Sequence, residues 1–169
     1  MRKIILITGG QRSGKSREAE RLALSLTDHP VYVATAHIWD EEFHQRVVRH
    51  QERRGPQWTN IEEERELGRH DLTGRVVVID CITLWLTNYF VQDSRPEAVL
   101  DMAKAEFDRF TAHDATYIFV TNEIGSGGTS ENALQRRFTD LQGWMNQYVA
   151  SQADEVVLMV SGIAVKVKG

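Results

Sequence analysis

Apolar runs of strand length recur along the chain at Lys3–Thr8, Val31–Ala34, Arg75–Asp80, Tyr117–Thr121 and Glu155–Val160. They are continuous rather than alternating, the pattern of strands covered on both faces in a parallel sheet. The last run, Ile163–Lys168, alternates in polarity and predicts an edge strand. Between the runs, helical periodicity covers Ser16–Leu26, Glu41–Arg54, a short piece at Glu63–Arg69, Ile82–Phe90, Pro96–Ala112 and Glu131–Ser151. Ser94 is placed to N-cap the Pro96 helix, whose first turn tolerates proline. Strands alternating with helices predict an α/β fold of right-handed β-α-β units around a mostly parallel sheet with an antiparallel edge strand. No repeat, low-complexity stretch or linker interrupts residues 1–169, so one domain is expected. In such sheets ligands sit beyond the carboxyl ends of the strands, which is where chemistry is sought.

The first strand end carries the strongest signal. Gly9-Gly10-Gln11-Arg12-Ser13-Gly14-Lys15-Ser16 fills the phosphate-loop pattern, with a strand before it and a helix after it. Glycines let backbone N–H groups curl around an anion, and the following helix presents its positive end. Lys15 is expected to reach the β- and γ-phosphates, and the Ser16 hydroxyl to ligate Mg2+. The chain is therefore expected to bind a nucleoside triphosphate. Val76-Val77-Val78-Ile79 ends in Asp80, the form of the second nucleotide motif, whose carboxylate contacts Mg2+. Another strand ends in Asn122-Glu123 followed by glycines at 125, 127 and 128, a segment able to meet substrate or Mg2+, or simply to be a surface loop. Thr35-Ala36-His37 would lie beside the nucleotide if the second strand neighboured the first.

Composition narrows the class. The chain has 169 residues, 41% hydrophobic and 26% charged, with a formal net charge of −4, which disfavours a dedicated nucleic-acid binder. A lone cysteine, Cys81, excludes an intrachain disulfide and fits a reducing cytoplasm. No run has the form of a signal peptide or a membrane span.

The segment Asp40–Arg54 is the least generic. Phe43, Val47 and His50 share one helix face, with Arg46 a turn before His50 and Arg53 and Arg54 a turn after it. A histidine among arginines suits phosphate contact, and the positive charge favours neutral imidazole, the nucleophilic form. Equally, Glu41, Glu42 and Glu52 intersperse the arginines, as on a solvated face. His44 falls on another face, and no histidine shows metal-ligand spacing. Leu84, Trp85, Leu86 and Phe90 read as core, as do Phe107, Phe110, Phe138 and Leu141. Trp144, Met145 and Tyr148 would extend the core or form a subunit contact, and Cys81 reads as a small buried residue.

Several strings together resemble one family. They are Thr8–Arg17, Tyr32–Ala36, Asp40-Glu41-Glu42 with Arg46–His50, Asp80–Trp85, Val120–Gly125 and Val160–Lys166. In this order the chain resembles the bifunctional adenosylcobinamide kinase / adenosylcobinamide-phosphate guanylyltransferase of cobalamin biosynthesis. The resemblance implies phosphorylation of the aminopropanol hydroxyl of adenosylcobinamide with ATP or GTP, then transfer of GMP from GTP to give adenosylcobinamide-GDP. It implies that His50 carries GMP between the two half-reactions. It also implies that Thr35, Ala36, His37, Gln51, Glu52, Arg53, Arg54, Glu62 and Asp80 line the guanine nucleotide site. The fold implied is a three-layer sandwich of the RecA-like P-loop NTPase type, assembled as a trimer. The residues alone leave two other readings open: a monofunctional P-loop kinase, and a nucleotide-dependent switch with the long Glu131–Ser151 helix as partner surface.

Overall fold

The computed structural model describes residues 1–169. Strands β1 (Lys3–Gly9), β2 (Val31–Ala34), β3 (Thr59–Glu62), β4 (Val76–Asp80), β5 (Thr116–Asn122), β6 (Glu155–Val160) and β7 (Ile163–Lys168) form one sheet in the order β3-β2-β4-β5-β1-β6-β7. Every pairing is parallel except that of β6 with β7. Five α-helices connect and cover the strands: α1 (Lys15–Leu26), α2 (Glu41–Arg54), α3 (Ile82–Phe90), α4 (Pro96–Phe110) and α5 (Ala133–Gln152).

Strand alternation divides the core between the two faces. Ile4 and Leu6 join Val77, Ile79, Tyr117 and Phe119 in a cluster of 24 buried residues with residues of α3, α4 and α5. Ile5 and Ile7 point the other way, into a smaller cluster of 11 with Ala19 and Ala23 of α1, Tyr32, Trp58 and Val78. Because successive side chains leave a strand on opposite sides, a continuous apolar strand fills both clusters at once. The result is a three-layer α/β sandwich.

Four local expectations need correction. β3 was not expected, because Thr-Asn-Ile-Glu has a single apolar residue; it exists by pairing with β2 as an edge strand, from Val31↔Thr59 to Ala34↔Glu62. The Glu63–Arg69 helix is only a 3-10 turn at Leu67–Arg69. The Glu63 carboxylate accepts the backbone N–H groups of Arg65 (3.2 Å) and Glu66 (3.0 Å), so this side chain bends the backbone away from a helical course. Ser94 is not the cap of α4: Arg95 holds that position with no side-chain bond, while Asp93 accepts its N–H at 3.1 Å. The second strand does not neighbour the first; β2 pairs with β3 and β4. Helix ends otherwise differ by two residues or fewer, and α5 starts after Asn132, whose side chain accepts from Gln135 N at 3.0 Å.

Candidate active site

The phosphate loop leaves β1 with unusual backbone angles. Gly9 has φ 155°, where an added Cβ would lie 2.7 Å from Ser13 Oγ and 2.8 Å from the Met159 carbonyl. Gly14, the N-cap of α1, has φ 96° in the left-handed region that favours glycine. The loop is closed by Ser13 N–H donating to Gly10 O at 3.3 Å, and is tied to the β6–β7 turn by Gly162 N–H donating to Ser13 O at 2.9 Å. Lys15 is buried, and its Nζ donates to Gly10 O at 2.5 Å inside the loop. Desolvation lowers the Lys15 amine below its ordinary value, against the opposing pull of Cys81 and Asp80. Ser13 Oγ is buried with no hydrogen-bond partner, a polar atom left over in a loop shaped for an anion. Gly10, Gln11 and Arg12 are exposed at the tip.

β4 delivers Asp80 to the start of α1. Ser16 Oγ donates to Asp80 Oδ2 at 2.8 Å, and the Tyr32 hydroxyl donates to the same oxygen. Tyr32 is almost fully buried, and desolvation with the nearby Asp80 charge raises its phenol well above its ordinary value, so it stays a proton donor here. A hydroxyl and a carboxylate are hard oxygen donors suited to Mg2+, which is held by one or two protein groups together with substrate phosphates. No cluster of three or more histidine, cysteine or acidic groups competes as a metal site.

Helix α2 closes the other side. Asp40 caps it, accepting from Phe43 N at 2.7 Å, with Glu41 and Glu42 in the first turn and Arg53 and Arg54 in the last, each favourable to the helix dipole. No residue of α2 is buried, so the helix lies over the sheet's edge rather than in the core. The Arg54 guanidinium sits 3.6 Å from the centre of the Tyr32 ring, and its Nη2 donates to Asn60 Oδ1 at 2.7 Å. Arg53 Nη2 lies 3.4 Å from His50 Nδ1. Partial desolvation, then Arg53 and Arg54, lower the His50 imidazole below 6.5. The arginines thus act in the direction expected from the sequence, but burial is the larger cause.

A cavity of about 310 Å3 joins these parts: Ser16, Glu20 from α1, Tyr32, Ala34, Ala36, Asp80 and Leu84 on the body, and Phe43, Arg46, Val47, His50, Arg53 and Arg54 on α2. Phe43, Val47 and His50 do share a face, and that face looks into this space. The sequence reading missed Glu20, Tyr32 and Leu84. Glu20 stands one helical turn beyond Ser16, a spacing that could have identified it; desolvation raises its carboxyl despite Arg54 and Arg53. Leu84 is 41% exposed and lines the cavity instead of packing in the core.

Not every expected residue reaches the cavity. Thr35 is buried, its Oγ1 donating to Cys81 O at 2.7 Å and accepting Cys81 N–H at 3.0 Å. His37 turns outward to Glu64, with Nδ1 and Oε1 2.6 Å apart. Glu62 lines a neighbouring cavity of about 330 Å3, which shares Ala36 with the first. Gln51 and Glu52 line neither. Cys81 is buried, its thiol pushed up to about 12 by desolvation, and it caps α3 through Sγ. Trp144 is 38% exposed while Met145 is in the core.

Residues 5–167 match the model of the cobinamide kinase / cobinamide phosphate guanyltransferase family. The chain belongs to that family. A bifunctional adenosylcobalamin biosynthesis protein, CobP, of Pseudomonas aeruginosa is 37% identical over 168 residues, covering 97% of this chain and 96% of that protein. The proteins named CobU of Escherichia coli K12 and Salmonella typhimurium are 37% and 38% identical, each covering 98% of this chain and 99% of the relative. Among solved structures, the flagellar accessory protein FlaH of Methanocaldococcus jannaschii has a TM-score of 0.51 at 17% identity, covering 98% of this chain and 78% of that one. An ATPase of the type III secretion system of pathogenic bacteria has a TM-score of 0.55 at 11% identity, covering 94% of this chain and 52% of that one. These two likenesses bear on the fold alone, a P-loop NTPase sandwich of RecA-like type.

Proposed function

We propose that this family member phosphorylates the aminopropanol hydroxyl of adenosylcobinamide with ATP or GTP, then transfers GMP from GTP through His50 to give adenosylcobinamide-GDP. The observation that carries the reading is the single cavity bringing His50 and three arginines to Ser16 and Asp80. For the first reaction, the phosphate loop and Lys15 hold the triphosphate and offset charge on the transferred group. Mg2+ would be held by Ser16 Oγ and Asp80, where it would neutralise phosphate charge. For the second, the neutral His50 imidazole attacks the α-phosphorus through a nitrogen lone pair, pyrophosphate departs with the electron pair, and the phosphoramidate passes GMP to the acceptor phosphate. Arg46, Arg53 and Arg54 stabilise the triphosphate and the departing pyrophosphate. The family resemblance further supports a cytoplasmic homotrimer, and Ala36 and Glu62 near the base of the bound guanine nucleotide.

The test is incubation with GTP and Mg2+ followed by mass measurement of the intact chain and its peptides, alongside phosphorylation of adenosylcobinamide. A GMP adduct on the peptide holding His50, together with corrinoid phosphorylation, is expected. A chain that forms no adduct but phosphorylates the corrinoid is a kinase alone, and one that does neither but associates with another protein in a nucleotide-dependent way is a switch.

The pH dependence carries a sign. Only neutral imidazole attacks, and His50 is held below the ordinary 6.5, so GMP capture should persist at pH values where a free imidazole is already protonated. Arg53→Ala should move the acid limb of the capture rate upward, though not fully to the ordinary value, since burial remains. A limb that moved downward on loss of Arg53 would contradict the assignment.

A further inference from the structure

The kinase reaction needs a group to take the acceptor's proton, and the two carboxylates of the His50 cavity, Asp80 and Glu20, stand with Ser16, Tyr32 and the α2 arginines rather than at the β5 end of the phosphate loop. Asp80 Oδ2 is already engaged by the hydroxyls of Ser16 and Tyr32. Glu18 pairs with Arg21, and Glu20 opens into the His50 cavity. We propose that Glu123 is the catalytic base of the kinase step, and that the acceptor reaches it over the β5–α5 loop. The proposal rests on the kinase reading above.

Topology places Glu123 beside the phosphates. β5 lies between β4, which ends in Asp80, and β1, which ends in the phosphate loop. Asn122 is in register with Gly9, and Glu123 N–H donates to Gly9 O at 2.9 Å, so Glu123 leaves the sheet at the loop's first glycine. Its carboxylate is oriented: Oε1 accepts the N–H groups of Gly125 (2.9 Å) and Ser126 (3.2 Å), while Oε2 has no partner and the residue is exposed. One oxygen is thus anchored and the other left for a ligand.

A second observation concerns what lies behind that strand end. Thr121 and Gln142 are fully buried polar residues, joined with Asn146 by bonds of 2.7, 3.1 and 2.9 Å. Asn146 Nδ2 also donates to Asn122 O at 3.3 Å, and Asn122 N–H donates to Thr83 Oγ1 at 3.1 Å. Three bonds tie these side chains together behind the strand end, although Gln142 Oε1 is buried without a partner, and the links to Asn122 hold the residue that precedes Glu123. The loop that follows Glu123 borders a cavity of about 500 Å3 lined by Ile124, Gly125, Gly128, Ser130, Arg137 and Asp140, among others, though not by Glu123 itself. It shares no residue with the His50 cavity, so acceptor and nucleotide would approach from different sides.

The step balances without another reactant. The acceptor's hydroxyl proton passes to Glu123 Oε2 as its oxygen bonds to the γ-phosphorus, and the bond from that phosphorus to the bridging oxygen breaks. The nucleoside diphosphate leaves with the electron pair.

Glu123→Gln tests this directly, because the amide oxygen can still accept from Gly125 and Ser126 but the side chain cannot take a proton. We expect kcat for corrinoid phosphorylation to fall about 10²–10⁴-fold, the usual contribution of a positioned base. The nucleotide KM and GMP capture on His50 should be unchanged. Near-native kcat at all pH values overturns the proposal, as does an equal loss of phosphorylation and GMP capture, which would mark the loop as structural. The wild-type protein, run in parallel, separates this from failure of the broader reading: a wild-type chain that does not phosphorylate the corrinoid overturns both.

Discussion

Replacing His50 with alanine should abolish covalent GMP capture and guanylyl transfer while leaving ATP-dependent phosphorylation largely in place. The second reaction loses its nucleophile outright, whereas phosphoryl transfer forms no covalent bond to the protein. Folding should be unaffected, because α2 buries none of its residues and His50 is exposed. The wild-type adduct should be labile in acid and stable in alkali, as a phosphoramidate is and an acyl phosphate is not. His44→Ala is the control: this residue is exposed, faces Glu41 at 3.8 Å and does not line the cavity. Capture that survived in His50→Ala, or was lost only in His44→Ala, would place the nucleophile elsewhere even with family membership intact.

Lys15→Ala should remove corrinoid phosphorylation in a protein that still folds. Lys15 is buried inside the loop and bonded to Gly10 O, so its ammonium stands where the phosphates of a bound triphosphate would come. Loss of such a charged ligand should cost ~2.7–4 kcal/mol in the transition state, by analogy with loss of an oxyanion donor, or about 10²–10³ in rate. Circular dichroism and the melting temperature establish the fold, and steady-state kinetics the loss. Asp80→Asn and Ser16→Ala should act mainly through Mg2+ and respond to added metal, unlike Lys15→Ala. Native kinase activity in folded Lys15→Ala, or equal rescue of all three variants by metal, would remove the basis for these separate roles.

What could be read in the sequence follows from how local each feature is. The phosphate loop and Asp80 stand at the ends of continuous apolar runs, so pattern and chemistry coincide within a few residues. The α2 face of Phe43, Val47 and His50 follows from helical spacing alone. Tyr32 was not identifiable as a cavity residue, because its hydroxyl meets Asp80 only through the pairing of β2 with β4, set by a long crossover connection. β3 escaped notice because edge pairing, not apolar content, makes Thr59–Glu62 a strand. The turn after it escaped for another reason: Glu63 looks like a helix former, yet its buried carboxylate also accepts from His70 Nε2 at 2.9 Å and faces Arg69 Nε at 2.7 Å. Burial alone would raise that carboxyl, but these contacts and the two backbone donors outweigh it, and Glu63 is held below its ordinary value. Leu84 was misplaced because apolarity in a helix does not tell a core face from the wall of an open cavity.

The cavity that holds Ser16, Asp80 and His50 together has a metabolic implication under the proposed assignment. Were both triphosphates to use this one space in turn, ATP seated for the first reaction would exclude the GTP needed for the second. Flux to the nucleotide-linked corrinoid would then follow the cellular ratio of GTP to ATP. An excess of ATP would let the phosphorylated intermediate accumulate without slowing its formation.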